Sequence, residues 1–156
     1  MRVALLHAYA SAETMTPTTT AVARSVATVT IGQDRKQDRL DIVIEDDGPG
    51  LSVSFEEALD PFYTTKRGKK TGMGLSLFKF RAEQSGGSLR LERSELGGLK
   101  VSVSMQLSHI DRSPLGDFAT TLSTLVCTTP EIDLQCRLRS GADERFISVT
   151  QIAQRF

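Results

Sequence analysis

Leu99, Val101, Val103, Met105 and Leu107 alternate with Lys100, Ser102, Ser104 and Gln106. A period of two predicts a strand with one buried face. Val26 to Ile31 alternates similarly and is rich in β-branched residues, which fit a pleated, half-buried surface. Leu40 to Glu45 resumes the pattern after a polar turn from Gly32 to Asp38, so a hairpin is the simplest connection. Leu89 and Leu91 mark another strand. Leu75, Phe78 and Ala82 recur at helical spacing up to Gln84, and Gly86-Gly87 supplies the stop. Phe55 to Leu59 reads as a short helix ended by Asp60-Pro61. Residues 3–13 are Ala- and Leu-rich and read as a helix; the Thr- and Pro-containing stretch to Thr20 reads as a loop.

Beyond Leu107 the pattern changes. Ser108 to Asp117 is a polar connector. Phe118 to Val126 reads as a helix whose Phe118, Leu122 and Leu125 form a docking stripe. Ile132 to Leu138 and Phe146 to Val149 flank Ser140-Gly141-Ala142-Asp143 and suggest a second hairpin. A sheet covered on one face by helices is a two-layer α/β sandwich, here an α+β fold with a mixed, mostly antiparallel sheet. The expected division is residues 1–107 as the main domain and 108–156 as a C-terminal extension.

Composition narrows the classes. The 156 residues carry no net formal charge, so neither nucleic acid nor an anionic membrane is expected as a partner. No apolar run approaches the ~20 residues that span a bilayer, and Met1 to Leu6 is too short for a signal-peptide core. The protein is read as cytoplasmic. Cys127 and Cys136 match no metal spacing and are read as two buried, reduced thiols.

Three segments carry candidate chemistry: Asp46-Asp47-Gly48-Pro49-Gly50 at a strand end, Asp60-Pro61-Phe62-Tyr63-Thr64-Thr65-Lys66, and Gly72-Met73-Gly74-Leu75 opening a helix. Singly, each has a bland reading as turn chemistry or a common glycine turn. Jointly they suit a nucleotide. A carboxylate at a strand end can accept from an exocyclic adenine amine, and glycines beside it let backbone approach the base. Gly72 and Gly74 leave backbone N–H groups bare at a helix N-terminus, where a phosphate chain binds favourably. Lys66, Lys69 and Lys70 supply positive charge, Lys66 being the best placed. The stretch from Tyr63 to Gly74 reads as a mobile loop able to close as a lid.

This order and spacing resembles the ATPase domain of the histidine kinase/Hsp90-like (GHKL) superfamily, which includes sensor histidine kinases, Hsp90, MutL and gyrase B. The similarity covers roughly Ala4 to Leu107. It implies a Bergerat-type fold that binds ATP, normally with Mg2+. It assigns Asp46, Gly48 and Gly50 to adenine, Pro61 to Lys66 (with Thr65) to the opening of the ATP lid, and Gly72, Met73, Gly74 and Leu75 to the triphosphate. Gly97-Gly98 is similar to a weaker third glycine box. The tail from Ser108 resembles an extension on small stand-alone bacterial ATP-binding proteins of the superfamily.

One box departs from the family pattern. There a helix bears a magnesium-ligating Asn, with an acid one turn earlier as general base. This chain contains no asparagine. Aligning His7 to Thr14 with that helix puts Thr14 at the Asn position and Ala10 at the acid position. Glu13 is nearby but on a different helix face. Glu13 and Thr14 are therefore the weak catalytic candidates, and Thr14 the weak metal candidate. Three accounts fit: a nucleotide binder with crippled catalysis, an unusual use of Glu13 or Thr14, or a divergent or incorrectly started N-terminus. His7 and His109 are read as ordinary residues rather than phosphoacceptors, and Phe62 as a packing residue.

The resemblance thus implies an ATP-binding, histidine-kinase-like domain in signal transduction. If active, it would hydrolyse ATP or pass the γ-phosphoryl group to a protein partner, as anti-sigma-factor kinases do. The rival is a non-catalytic regulatory protein that orders its lid on nucleotide and shows a surface to a partner.

Overall fold

The computed structural model describes residues 25–62, 73–129 and 131–153. The expected helix at residues 3–13, with Glu13 and Thr14, lies outside the described residues, as do Thr65, Lys66, Lys69, Lys70 and Gly72.

Among the described residues six strands form one sheet: β1 (Ser25–Asp34), β2 (Arg39–Asp46), β3 (Ser88–Arg93), β4 (Leu99–Gln106), β5 (Ile132–Ser140) and β6 (Asp143–Ser148). Their order is β3-β4-β2-β1-β5-β6. Every neighbouring pair is antiparallel except β1 and β5, which run parallel. Four helices are described: α1 (Phe55–Ala58), α2 (Met73–Gln84), α3 (Phe118–Thr128) and α4 (Val149–Ala153). The mixed, mostly antiparallel α+β sheet agrees with the expected fold.

One face of the sheet carries the core. Val29, Leu40, Ile44, Leu75 and Leu134 are each 1% exposed or less. Leu75 and Ala82 bring α2 onto this face, Leu122, Leu125 and Val126 bring α3, and Val149 brings α4. The opposite face holds Thr28, Thr30, Ser102 and Ser104, all half-buried. The alternation seen in the sequence is therefore the boundary between the helical layer and the polar face.

Local chemistry explains most ends. Asp117 caps α3 by accepting from the Thr120 backbone N–H at 3.0 Å. Ser54 caps α1 through the Glu57 N–H at 3.2 Å. At the end of α2 the Gly87 N–H donates to the Ala82 carbonyl and the Gly86 N–H to that of Glu83, with Gly86 at φ +67°. That is the paired closure of a glycine-terminated helix.

Several details differ from the sequence reading. The first strand continues through Gly32 to Asp34, so the turn is Arg35–Asp38. Gly74 lies inside α2, which begins at Met73. Val149 opens α4 instead of ending β6. The Cys127 thiol is exposed and only Cys136 is buried, because Cys127 sits on the outer side of α3. Phe62 is 79% exposed and does not pack into the core. From the 108–156 stretch, β5 pairs with β1 from Ser25 to Gln33 and so extends the same sheet.

Candidate functional site

On β2, Leu40, Ile42, Ile44 and Asp46 share the core-facing register, and all four are buried. An acid thus continues an apolar row. Its carboxylate must find donors, since a bare buried charge is costly. Asp46 Oδ1 accepts from the Gly48 N–H at 3.0 Å and from the Leu99 N–H at 3.2 Å. Those two bonds fill the acceptor positions of one oxygen. Among the described residues, Oδ2 receives no hydrogen bond. Burial pushes the Asp46 carboxyl above its ordinary value and Asp47 adds to this, while the Leu99 and Gly48 amides act against it.

Glycines surround this acid. The Gly98 N–H donates to the Asp46 carbonyl at 3.1 Å. A Cβ at position 98 would stand 2.0 Å from Asp46 Oδ1 and 2.6 Å from the Gly48 nitrogen, so no other residue fits. Gly50 adopts φ +74°, a conformation that side chains disfavour, and its α-carbon side faces the Gly98 carbonyl. Gly98 is the site-lining residue that the sequence reading left out of its binding set. Its signal was present in the Gly97-Gly98 pair ahead of β4.

The second glycine segment sits on α2. The Gln106 N–H donates to the Ser85 carbonyl at 2.9 Å. This ties the helix C-terminus to the end of β4 remote from Asp46. Met73 and Gly74 form the opposite, N-terminal end, where the first-turn N–H groups have no intrahelical acceptor. Leu75 is buried in the core, so only its backbone faces outward chemistry. A cavity of about 190 Å³ runs along α2 past Gly74, Phe78, Arg81 and Ser85, floored by Leu40, Ile42 and Met105 and flanked by Pro114. Asp46 does not line it.

His109 follows β4 at the far end of the sheet, beside Gly86. The length of β4 separates it from Asp46, about 25 Å at ~3.3 Å per residue. Among the described residues no group of three or more His, Cys, Asp or Glu side chains is arranged to hold a metal ion.

A family model described as histidine kinase-, DNA gyrase B-, and HSP90-like ATPase matches residues 5–109. The chain belongs to this ATPase family. The histidine kinase-, gyrase B- and HSP90-like match spans the Asp46–Gly50 turn, the Gly72–Leu75 segment and the Gly97-Gly98 pair. Similar proteins include the sensor histidine kinase CpxA of Escherichia coli K12, 32% identical over 51% of this chain. The sensor protein kinase CarS of Pseudomonas aeruginosa is 35% identical over 58% of it. The sensor protein ChvG of Agrobacterium fabrum is 36% identical over 41%. The matched segments make up 19%, 20% and 12% of those proteins, so the chain spans a fifth of their length or less. Within the ATPase family this chain is of the histidine-kinase type. The family binds ATP, usually with Mg2+. Among the described residues, no helix is long and apolar enough to cross a membrane.

Proposed function

We propose that this chain binds ATP, with the adenine amine donating to Asp46 Oδ2. The observation that carries the reading is the pinned carboxylate: Oδ1 is held by two backbone N–H groups, and Gly98 presses against it without a side chain. Gly48 and Gly50 leave room for the base. The backbone N–H groups of Met73, Gly74 and Leu75 are taken to face the phosphates at the start of α2, where the helix dipole favours negative charge, with Gly72 assigned to the same role from the motif alone. From the sequence motif alone, the Lys66 ammonium is assigned to offset phosphate charge and the Thr65 hydroxyl to donate to a phosphate oxygen.

The chemistry proposed for the bound nucleotide is cleavage of the bond between the γ-phosphorus and the bridging oxygen. ADP leaves, and the phosphoryl group passes to water or to a nucleophile on a protein partner. ATP as co-substrate, sensor-kinase relatives and a neutral chain together support a cytoplasmic signalling role without nucleic acid or membrane as partner.

The second reading is a nucleotide-dependent regulator without turnover. It rests on the absence of any asparagine from residues 1–156: the stretch His7 to Thr14, aligned by resemblance with the family's magnesium-binding helix, carries Glu13 and Thr14 instead.

Titration with a fluorescent ATP analogue, with and without Mg2+, tests the binding. Asp46→Asn preserves an acceptor for Gly48 and Leu99 but turns a donor toward the amine. It should weaken affinity by roughly 10- to 100-fold, the equivalent of the ~1.5–3 kcal/mol of a charged hydrogen bond. Unchanged affinity would defeat the adenine assignment. Turnover separates the two readings: phosphate release by the wild type supports the enzyme, and release seen only after Thr14→Asn with Ala10→Glu supports the regulator.

A further inference from the structure

We infer that the polar face of the sheet, opposite the helices, is a docking surface for an acidic, extended segment of a protein partner. This does not depend on the ATP reading. On β2 the row Leu40, Ile42, Ile44 and Asp46 is buried on the helical side, so Arg39, Asp41, Val43 and Glu45 lie on the other side. The four described helices pack on the first side. A groove of about 510 Å³ crosses the second. Its floor is Thr30, Gly32, Val43, Ser102 and Ser104, on the central strands β1, β2 and β4. Arg90 on β3 bounds it on one flank and Arg139 on β5 on the other, and Arg39 of β2 also lines it.

Charge decides the occupant. Three guanidinium groups line the groove against one carboxylate, Asp41, which already accepts from the Arg39 Nε–H at 2.8 Å. Arg139 shares Glu144 with Arg137, at 3.4 and 3.0 Å. Arg90 enters no ion pair among the described residues. In the next row toward Asp46, Lys100 stands between Glu45 and Glu92 and pairs with Glu45 at 3.7 Å. That row carries one acid in excess and borders the groove. An apolar partner would cover arginines and hydroxyls and give them nothing to bond. An acidic chain instead offers carboxylates that guanidinium forks grip in pairs, and backbone carbonyls to which the floor hydroxyls can donate. From β3 to β5 the sheet order is β3-β4-β2-β1-β5. Those four strand spacings come to about 19 Å, so about six extended residues reach from Arg90 to Arg139. The Asp46 face lies on the other side of the sheet, so nucleotide and peptide can be held together.

The test is fluorescence anisotropy of a labelled hexaglutamate peptide titrated with the full chain, with hexalysine and a Gly-Ser peptide of equal length as controls. Hexaglutamate should bind, more weakly as salt is raised, and the controls should not. Arg90→Ala combined with Arg139→Ala should weaken binding by at least about tenfold, whereas Lys79→Ala, on the helical side, should leave it unchanged. If the double variant does not fold, amide chemical-shift mapping on the wild type decides: shifts centred on Thr30, Val43 and Ser102 support the site, and shifts confined elsewhere overturn it. No hexaglutamate binding, equal binding by the folded double variant, or loss of the peptide on adding ATP overturns the inference, the last by placing the peptide on the nucleotide side. Oligothymidylate that binds more tightly than hexaglutamate, and is lost in the same double variant, overturns the peptide as occupant and makes this face a nucleic-acid surface.

Discussion

The Asp38 carboxylate receives both the backbone N–H of Ser108, at 2.9 Å, and its hydroxyl, at 2.7 Å. The Gln106 side-chain amide adds a third bond at 2.8 Å, and the Asp38 carbonyl accepts from the Leu107 N–H. Asp38 is also the one described non-glycine residue with positive φ, at +51°, a conformation that Asp tolerates through its short side chain. The turn between β1 and β2 is thus clipped to the exit of β4, where the chain leaves for α3.

This clip predicts a pH signature. Hydrogen bonds from Ser108 and Gln106 hold the Asp38 carboxyl below its ordinary value. A depressed folded value means the stabilisation is present above the unfolded value and is lost as pH falls through the folded one. Asp38→Ala should lower the melting temperature at neutral pH, and the gap to wild type should close as the solution is acidified below the ordinary aspartate range. A gap that stays constant down to acid pH would show that the carboxylate charge is not what holds the turn.

Asp46 should behave with the opposite sign. Its folded value is raised, chiefly by burial. The protein is therefore relieved of this cost below the unfolded value and bears it as pH rises through the folded one. Without ligand, Asp46→Asn should melt above wild type at neutral pH and equal to it in acid. Function and stability would then oppose one another at one residue, as functional sites commonly show. A lower melting temperature for Asp46→Asn at neutral pH would contradict this account.

Leu134, at 0% exposure, lies on β5 in register with Ala27 of β1. Leu134→Ala removes buried side-chain volume and should cost about 2–5 kcal/mol. Urea unfolding followed by circular dichroism should show a single transition moved to lower urea. Two separate transitions would mean that residues 108–156 unfold on their own.

The two thiols should differ in reactivity. Cys127 is exposed, whereas burial raises the Cys136 thiol above its ordinary value and so suppresses the reactive thiolate. Under native conditions a thiol reagent should label Cys127 quickly and Cys136 only on the timescale of unfolding; denaturant should expose both. Equal native rates would place Cys136 nearer the surface than β5 allows.

The sequence by itself determined most of the strands and the helix stops. Each depends on neighbours along the chain: the alternation of Leu99 to Met105 and the Gly86-Gly87 closure of α2. Phe118 to Val126 and the hairpin around Gly141 were legible for the same reason. Tertiary structure alone decided that β5 lies parallel beside β1 and that Leu99 supplies a donor to Asp46. Strand partnership is set by which exposed edge best buries an apolar face, and a local pattern of period two is identical for any partner. The exposure of Cys127 and Phe62 was decided in the same way, by what the finished sheet left uncovered. Gly98 shows both sides of the matter: the sequence displayed a glycine, and only the fold put the Asp46 carboxylate where any side chain would have to be.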